Sequence, residues 1–560
     1  MFTDSFWRRH YDPDVPATIE IPDISLPEMF YRSALDFPDN PAIIFFGKKL
    51  SYHRLQQLVL QAAAGLARLG LQAGQSVAIL LPNCPQTLIT YYAALHLGAI
   101  VVMINPLAAP REILDQVQRT GAKIAVVLDH LAPKVEQIRS DLKLRHLVVT
   151  SLAEYLPIPW RWLYTLKSKR DKQQVGARLD LRQKPFAALL AGKAADAPPL
   201  AAHSQDIATL QYTGGTTGVP KAAILTHRNL VSNVLQINAW LPHCRRGGER
   251  VLAVLPYFHV FGMTAAMNWP LNLAGTIILL PKFDVATVLK TIHKLRPTVF
   301  PSVPTIFIAL IHHPDLRRYD LTSLWGSISG SAPLPQDVQD QFEALTKGRI
   351  IEGYGLTETS PVTHLNPIAG RRKPGSIGLP FPNTDCRIVD AETGCRDLPI
   401  GQVGELLLRG PQVMSGYWQN PEETALVRRD GWFYTGDLAR MDDDGFFYIV
   451  DRKKDLIIAS GFNIFPREVE EILHQHPAVQ DVVVFGVPES YRGETVMAIV
   501  VPKPETPLTA EELISFCRER LAAYKVPTII EFREELPKTL VGKVLRHQLR
   551  QEAVAKLQCT

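Results

Sequence analysis

"SVAILLP" (Ser76–Pro82), "PQTLITYYAALHLG" (Pro85–Gly98), "AIVVMINP" (Ala99–Pro106), "PREILDQVQRTG" (Pro110–Gly121) and "KIAVVLD" (Lys123–Asp129) follow one another with few residues between them. The first, third and fifth are short runs rich in Val and Ile, and the other two are longer amphipathic stretches. Strands that alternate with helices in this way are joined by crossovers, so the spacing predicts an α/β fold with a largely parallel sheet. The most apolar part, Tyr91–Pro106, contains His96 and ends at Asn105 and Pro106. It falls short of the roughly 20 apolar residues that a membrane-spanning helix needs, and reads as helix, glycine and strand in a buried core.

The alternation returns in "GTIILLPKF" (Gly275–Phe283), "DVATVLKTIHKLRP" (Asp284–Pro297), "TVFPSVP" (Thr298–Pro304) and "LWGSISGSAPL" (Leu324–Leu334). Strand ends that run into glycines and serines are where α/β sheets bind ligands. After Val450 the texture changes: the charged run "DRKKD" (Asp451–Asp455) precedes a segment with its own local pattern. Pro466 opens a helix in "FPREVEEIL", with Val469, Ile472 and Leu473 on one face. Thr509 and Glu512 stand at capping-box spacing. The expected organisation is a large N-terminal domain (1–450) of mixed, largely parallel sheets with helices, a hinge (451–455) and a small, mobile C-terminal α+β domain (456–560).

A chain of 560 residues exceeds what one hydrophobic core organises, in keeping with two or more domains. Its 46% hydrophobic and 21% charged residues fit a folded soluble enzyme and exclude a disordered chain. A net charge of +5 is too dilute to imply a nucleic acid partner. Six scattered cysteines, without a CxxC pair or metal-ligand spacing, fit a reducing cytosol. The opening "MFTDSFWRRHYDPDVP" has acids and prolines where a signal peptide needs an apolar core. One segment, "IPWRWLYTLKSKRDK" (Ile158–Lys172), sets Trp160, Trp162 and Tyr164 beside five basic residues. It reads either as a peripheral contact with an anionic membrane through Trp160–Lys172 or as a solvated surface loop. The expected location is the cytoplasm, with the inner face of the membrane as the place of any such contact.

"YTGGTTGVPK" (Tyr212–Lys221) is dense in glycine and hydroxyls and ends in lysine. It is not a Walker A loop, because Val219 and Pro220 separate Gly218 from Lys221 and Ala222 follows the lysine. Thr213, Thr216 and Thr217 still offer hydroxyls, and Gly214, Gly215 and Gly218 let backbone N–H groups turn toward an anion. By itself the stretch reads as a phosphate cradle or as a plain glycine-rich turn.

Six further motifs follow in order: "PYFHVFG" (Pro256–Gly262), "SGSAP" (Ser329–Pro333), "EGYGLTETSP" (Glu352–Pro361), "GWFYTGD" (Gly431–Asp437), "DRKKDLIIASGFNIFPREVE" (Asp451–Glu470) and "LPKTLVGKVLR" (Leu536–Arg546). Together with the glycine-rich loop, this series resembles the adenylate-forming superfamily of acyl-CoA synthetases, adenylation domains and luciferases. Within it, the chain looks most like a bacterial-type long-chain fatty acid CoA ligase. The resemblance covers most of the chain.

The resemblance implies an enzyme that activates a medium- to long-chain fatty acid with ATP to acyl-AMP, then transfers the acyl group to CoA. No side-chain nucleophile is required, so catalysis rests on positioning and on cations at the α-phosphate. It further implies that Glu358 holds Mg2+, that Thr357 contacts the α-phosphate, and that Asp437 and Arg452 bind the ribose. Tyr354, Ser331 and Ala332 would flank the adenine. Thr213, Gly214, Gly215, Thr216, Thr217, Gly218 and Lys221 would hold the β- and γ-phosphates. Lys543 would bridge carboxylate and α-phosphate, Lys454 would be the hinge residue, and Gly461 would line the CoA channel. His259 would lie beside the acyl tunnel, although an isolated histidine is more often a satisfied core residue. No acid lies between Pro256 and Gly262, which disfavours an amino acid substrate. Other readings are a ligase for an aryl acid, an acyl-AMP ligase loading a carrier protein, and a non-catalytic acyl or nucleotide binder on the same fold.

Overall fold

The computed structural model describes residues 6–158, 183–213, 220–459, 462–489, 493–504, 506–539 and 544–558. The opening stretch folds as its alternation predicts. Strands Ser76–Leu80, Ile100–Met103 and Ile124–Leu128 are buried throughout and lie parallel, with Ser76 opposite Ile100 and Val77 opposite Ile124. Pro85 opens the helix Pro85–His96, and all twelve of its residues are buried. Burial on all sides leaves this helix no polar face, so it is not the amphipathic element that its place in the alternation implied; truncating Leu88 to Ala would cost about 2–5 kcal/mol.

Seven strands form this sheet, parallel except for Lys221–Thr226, which pairs antiparallel with Ile207–Thr213 at one edge. A nine-stranded sheet holds the second alternating series, with Val299–Ser302, Gly326–Ser329 and Arg349–Gly355 as parallel neighbours. Its helix Val285–Leu295 is capped by Asp284, whose side chain accepts from the Thr287 N–H at 2.8 Å. One apolar core touches both sheets, joining Val77 and Ile79 of the first to Val251 and Ile277 of the second through Leu88, Tyr92 and Trp269. Asn83 fastens the sheets together at their strand ends. Its amide donates to the Leu255 carbonyl at 2.8 Å and its oxygen accepts from the Tyr257 N–H at 3.0 Å.

A five-stranded antiparallel sheet follows, ending in Trp432–Met441 and Phe447–Arg452. Beyond it, five strands carry helices on both faces: Pro466–His474 and Ala510–Arg518 pack on one, Arg546–Gln558 on the other. The capping box at Thr509 forms, with Glu512 N–H donating to the Thr509 hydroxyl at 3.2 Å. This C-terminal unit has apolar clusters of its own, one around Val469, Leu473 and Leu513, the other around Phe485, Ile499 and Leu549. Among the described residues no helix is long and apolar enough to cross a membrane.

Candidate active site

Three parallel strands deliver the centre of the site. Ser302 stands opposite Ser329, and Ser329 opposite Glu352, so these residues form one row near the strands' C-terminal ends. After Ser329 the chain turns sharply, with Ser331 in the left-handed region at φ 70°. A Cβ on Gly330 would come within 3.1 Å of the Phe261 ring, so glycine lets the "SGSAP" turn sit on that ring. Beyond Gly355 lies the short turn Thr357–Thr359. A cavity of about 120 Å³ opens here, lined by Leu255, His259, Ser331, Leu356 and Thr357 among others. Sequence candidates from three separate motifs thus share one wall. Burial pushes the His259 imidazole down to about 4, so it is neutral at physiological pH and supplies hydrogen bonds but no charge.

A second group forms beside the first. The Tyr354 hydroxyl donates to Asp437 Oδ2 at 2.5 Å, and Arg452 Nε lies 3.4 Å from Asp437 Oδ1. Register accounts for the second contact, because Asp437 and Arg452 are directly opposed across two antiparallel strands. Burial, then the Asp437 charge, holds the Tyr354 phenol well above its ordinary range, so it remains a donor. A carboxylate fixed by a phenol and a guanidinium keeps lone pairs for a ligand's hydroxyls.

Glu358, Lys221 and Thr213 make the third group. Thr213 faces Lys221 across the strands that flank the glycine-rich loop. Lys221 Nζ is 2.5 Å from Glu423 Oε2 and 5.3 Å from the centre of the Tyr417 ring. Tyr417 in turn donates its hydroxyl to Glu358 Oε1 at 2.8 Å. Burial raises the Glu358 carboxyl, and the Tyr417 bond works against that rise. Among the described residues no three His, Cys, Asp or Glu side chains converge as a metal cage. A single hard carboxylate fits Mg2+ held chiefly by phosphate oxygens and water.

Lys454 is exposed in the turn Lys453–Asp455; surrounding protein atoms and the Arg452 charge lower its ammonium to about 8. Ala332 is half-buried beside Ser331. Gly214, Gly215, Thr216, Thr217, Gly218, Gly461 and Lys543 lie outside the described residues, as does Trp160–Lys172. Three residues of the site were missed by sequence reasoning. Tyr417 and Glu423 belong to "GYWQNPEET", where the only legible signal was a helix start, Asn420 capping Pro421–Val427. Glu352, buried enough to titrate at about 8, ends the row with Ser302 and Ser329, whose hydroxyls have no partner among the described residues.

The chain as a whole is matched elsewhere. The model of the AMP-binding enzyme family matches residues 30–418, and that of the AMP-binding enzyme C-terminal domain matches residues 468–543. The chain belongs to the AMP-binding enzymes. It is 48% identical over 548 residues to a long-chain-fatty-acid–CoA ligase of Bacillus subtilis, covering 98% of each chain. A long-chain-fatty-acid–CoA ligase of Yersinia pestis is 40% identical, again with 98% of each covered. Among solved structures, ATP-bound MatB from Rhodopseudomonas palustris superposes with a TM-score of 0.83 at 30% identity, covering 95% of this chain and 99% of that one. AMP-binding enzymes of this kind have the large mixed-sheet domain and smaller C-terminal domain seen here.

Proposed function

We propose that the chain joins a medium- to long-chain fatty acid to CoA in two steps. The acid's carboxylate attacks the α-phosphate of ATP, giving acyl-AMP and pyrophosphate; the CoA thiol then displaces AMP, leaving acyl-CoA. The observation that carries this reading is the 48% identity, end to end, with a fatty acid ligase. That similarity favours a fatty acid over an aryl acid and CoA over a carrier protein. Mg2+, when bound, neutralises charge between the phosphates.

The chain's own residues supply the rest. Asp437 accepts from both ribose hydroxyls, with Arg452 beside it, while Tyr354, Ser331 and Ala332 flank the adenine. Thr213, the glycine-rich residues 214–218 and Lys221 hold the phosphates that depart. Glu358 binds the metal and Thr357 contacts the α-phosphate. His259, neutral, borders the acyl chain. Lys543 brings a mobile charge to the reacting carboxylate, a role that suits a flexible ammonium. The units 1–450 and 456–560 would rotate about Lys454 in the 451–455 hinge, bringing Gly461 to the CoA channel for the second step. Contact of Trp160–Lys172 with anionic membrane on the cytoplasmic side belongs to the same proposal, and co-sedimentation with vesicles with and without anionic lipid tests it.

Pyrophosphate exchange with acids graded by chain length, followed by thioester formation with CoA, tests the main reading. Rates should peak on medium or long chains. A peak on aryl acids, or acyl-AMP that CoA does not discharge, would overturn it.

A further inference from the structure

The two charges assigned to the triphosphate, Lys221 and Glu358, come from motifs far apart in sequence, yet one segment touches both. Residues 414–418 lie along the outer edge of the Lys221–Thr226 strand. The Ser415 N–H donates to the Ile224 carbonyl at 3.2 Å, the Ile224 N–H to the Gly416 carbonyl at 2.9 Å, and the Trp418 N–H to the Ala222 carbonyl at 2.8 Å. One residue earlier, the Met414 N–H donates to the Glu358 carbonyl at 2.7 Å. The backbone of this segment therefore fixes the spacing between the lysine's strand and the glutamate's turn.

Tyr417 occupies the middle of it. Only 8% exposed, its side chain has two working surfaces. The hydroxyl donates to Glu358 Oε1 at 2.8 Å, and the ring face carries the Lys221 ammonium at 5.3 Å. A phenol donor favours the ionised carboxylate and holds one oxygen in place, which turns the other in a fixed direction. A ring face attracts a cation without neutralising it, so the ring, unlike the Glu423 carboxylate, does not compete with phosphate for the lysine's charge. Glu423 completes the arrangement from the next helix, 2.5 Å from Lys221.

We propose that Tyr417 is a positioning residue for the Mg2+–triphosphate, its hydroxyl aiming the Glu358 carboxylate at the metal and its ring holding Lys221 toward the phosphates. The inference rests on the reading of Glu358 as the metal carboxylate given above. Its two halves are chemically separable. Tyr417→Phe deletes the hydroxyl and keeps the ring; Tyr417→Leu deletes both.

The test is equilibrium binding of a non-hydrolysable ATP analogue by calorimetry, with Mg2+ titrated from zero, on the full chain. Thermal unfolding confirms that each variant is folded. For Tyr417→Phe, the Mg2+ concentration giving half-maximal enhancement of binding should rise about five- to tenfold, with binding in EDTA within about twofold of the parent. Tyr417→Leu should show the same Mg2+ shift and also lose about three- to fivefold of binding in EDTA. An unchanged Mg2+ dependence in Tyr417→Phe, or equal losses in EDTA for both variants, would overturn the proposal. If Tyr417→Leu does not fold, the Tyr417→Phe titration decides alone. Glu358→Gln separates this from the underlying reading: it should abolish the Mg2+ enhancement. If Glu358→Gln kept the full enhancement, the assignment of Glu358 to the metal would fall, and the positioning role with it.

Discussion

Asp451, wholly buried at the end of one antiparallel strand, accepts the backbone N–H of Arg467 at 2.9 Å. A side chain at the first position of the proposed hinge thus holds the first turn of a helix beyond it. Arg546 joins from the final helix, 3.8 Å from Asp451, 3.1 Å from Asp455 and 2.5 Å from Glu470. Burial alone would lower the Arg546 guanidinium, but these three carboxylates outweigh it and hold it above its usual value. Removing one partner from a buried ionic cluster leaves charge uncompensated. Arg546→Ala should therefore cost about 3–5 kcal/mol of stability, seen as a lowered unfolding midpoint in urea.

Asp437 offers a direct check on nucleotide recognition. Hydrogen bonds to a charged group contribute about 1.5–3 kcal/mol each, so losing both ribose contacts in Asp437→Ala should weaken ATP and AMP binding by about 100-fold or more. The acid's KM should change far less. Isothermal titration with AMP, which needs no metal, isolates the ribose contact.

Lys543 and Lys221 should separate kinetically. Lys543→Ala should slow acyl-AMP formation by about 100- to 1,000-fold and leave thioester formation from supplied acyl-AMP within about threefold. Lys221→Ala should raise the KM for ATP with a smaller loss in turnover. Equal losses in both half-reactions for Lys543→Ala would refute the alternation of domains about Lys454.

Glu352 makes stability depend on pH. Its carboxyl titrates at about 8 in the folded chain against the ordinary 4.5, because burial disfavours the charge. Between those values the folded state keeps a proton that the unfolded state has released, so this group's contribution falls as pH rises from 4.5 toward 8. Glu352→Gln cannot ionise. The midpoint difference between variant and parent should be small at pH values near 4.5 and largest above 8. Thermal melts across that range read it directly, and a difference independent of pH would exclude Glu352 as the cause.

Local chemistry made much of the fold legible. Asp284, Pro466 and Thr509 open helices where the sequence puts them, because caps and first-turn prolines act within four residues. The wholly buried helix Pro85–His96 was legible through length and the glycine after it, even without a polar face. Candidates such as Asp437 and Tyr354 were found by motif, but their 2.5 Å contact spans 83 positions and depends on how two sheets meet. Tyr417 and Glu423 were invisible for the same reason. Nothing local in "GYWQNPEET" says that it will line the strand that starts at Lys221. Glu352 reads as one more charged residue in sequence; only the register shows that its cross-strand neighbour is the buried Ser329.

The pairing of residues 415–418 with the Lys221–Thr226 strand has a consequence during synthesis. Until Ser415 has left the ribosome, that strand presents an open row of amide and carbonyl groups, the usual template for association between chains. At about 5–20 residues per second, the roughly 190 residues in between take about 10–40 s to emerge. Chains ending at residue 414 should accordingly aggregate more than chains ending just after 427, where the helix carrying Glu423 closes; the Gly404–Arg409 strand lacks its Trp432–Met441 neighbour in both, so the difference reads the Lys221–Thr226 edge.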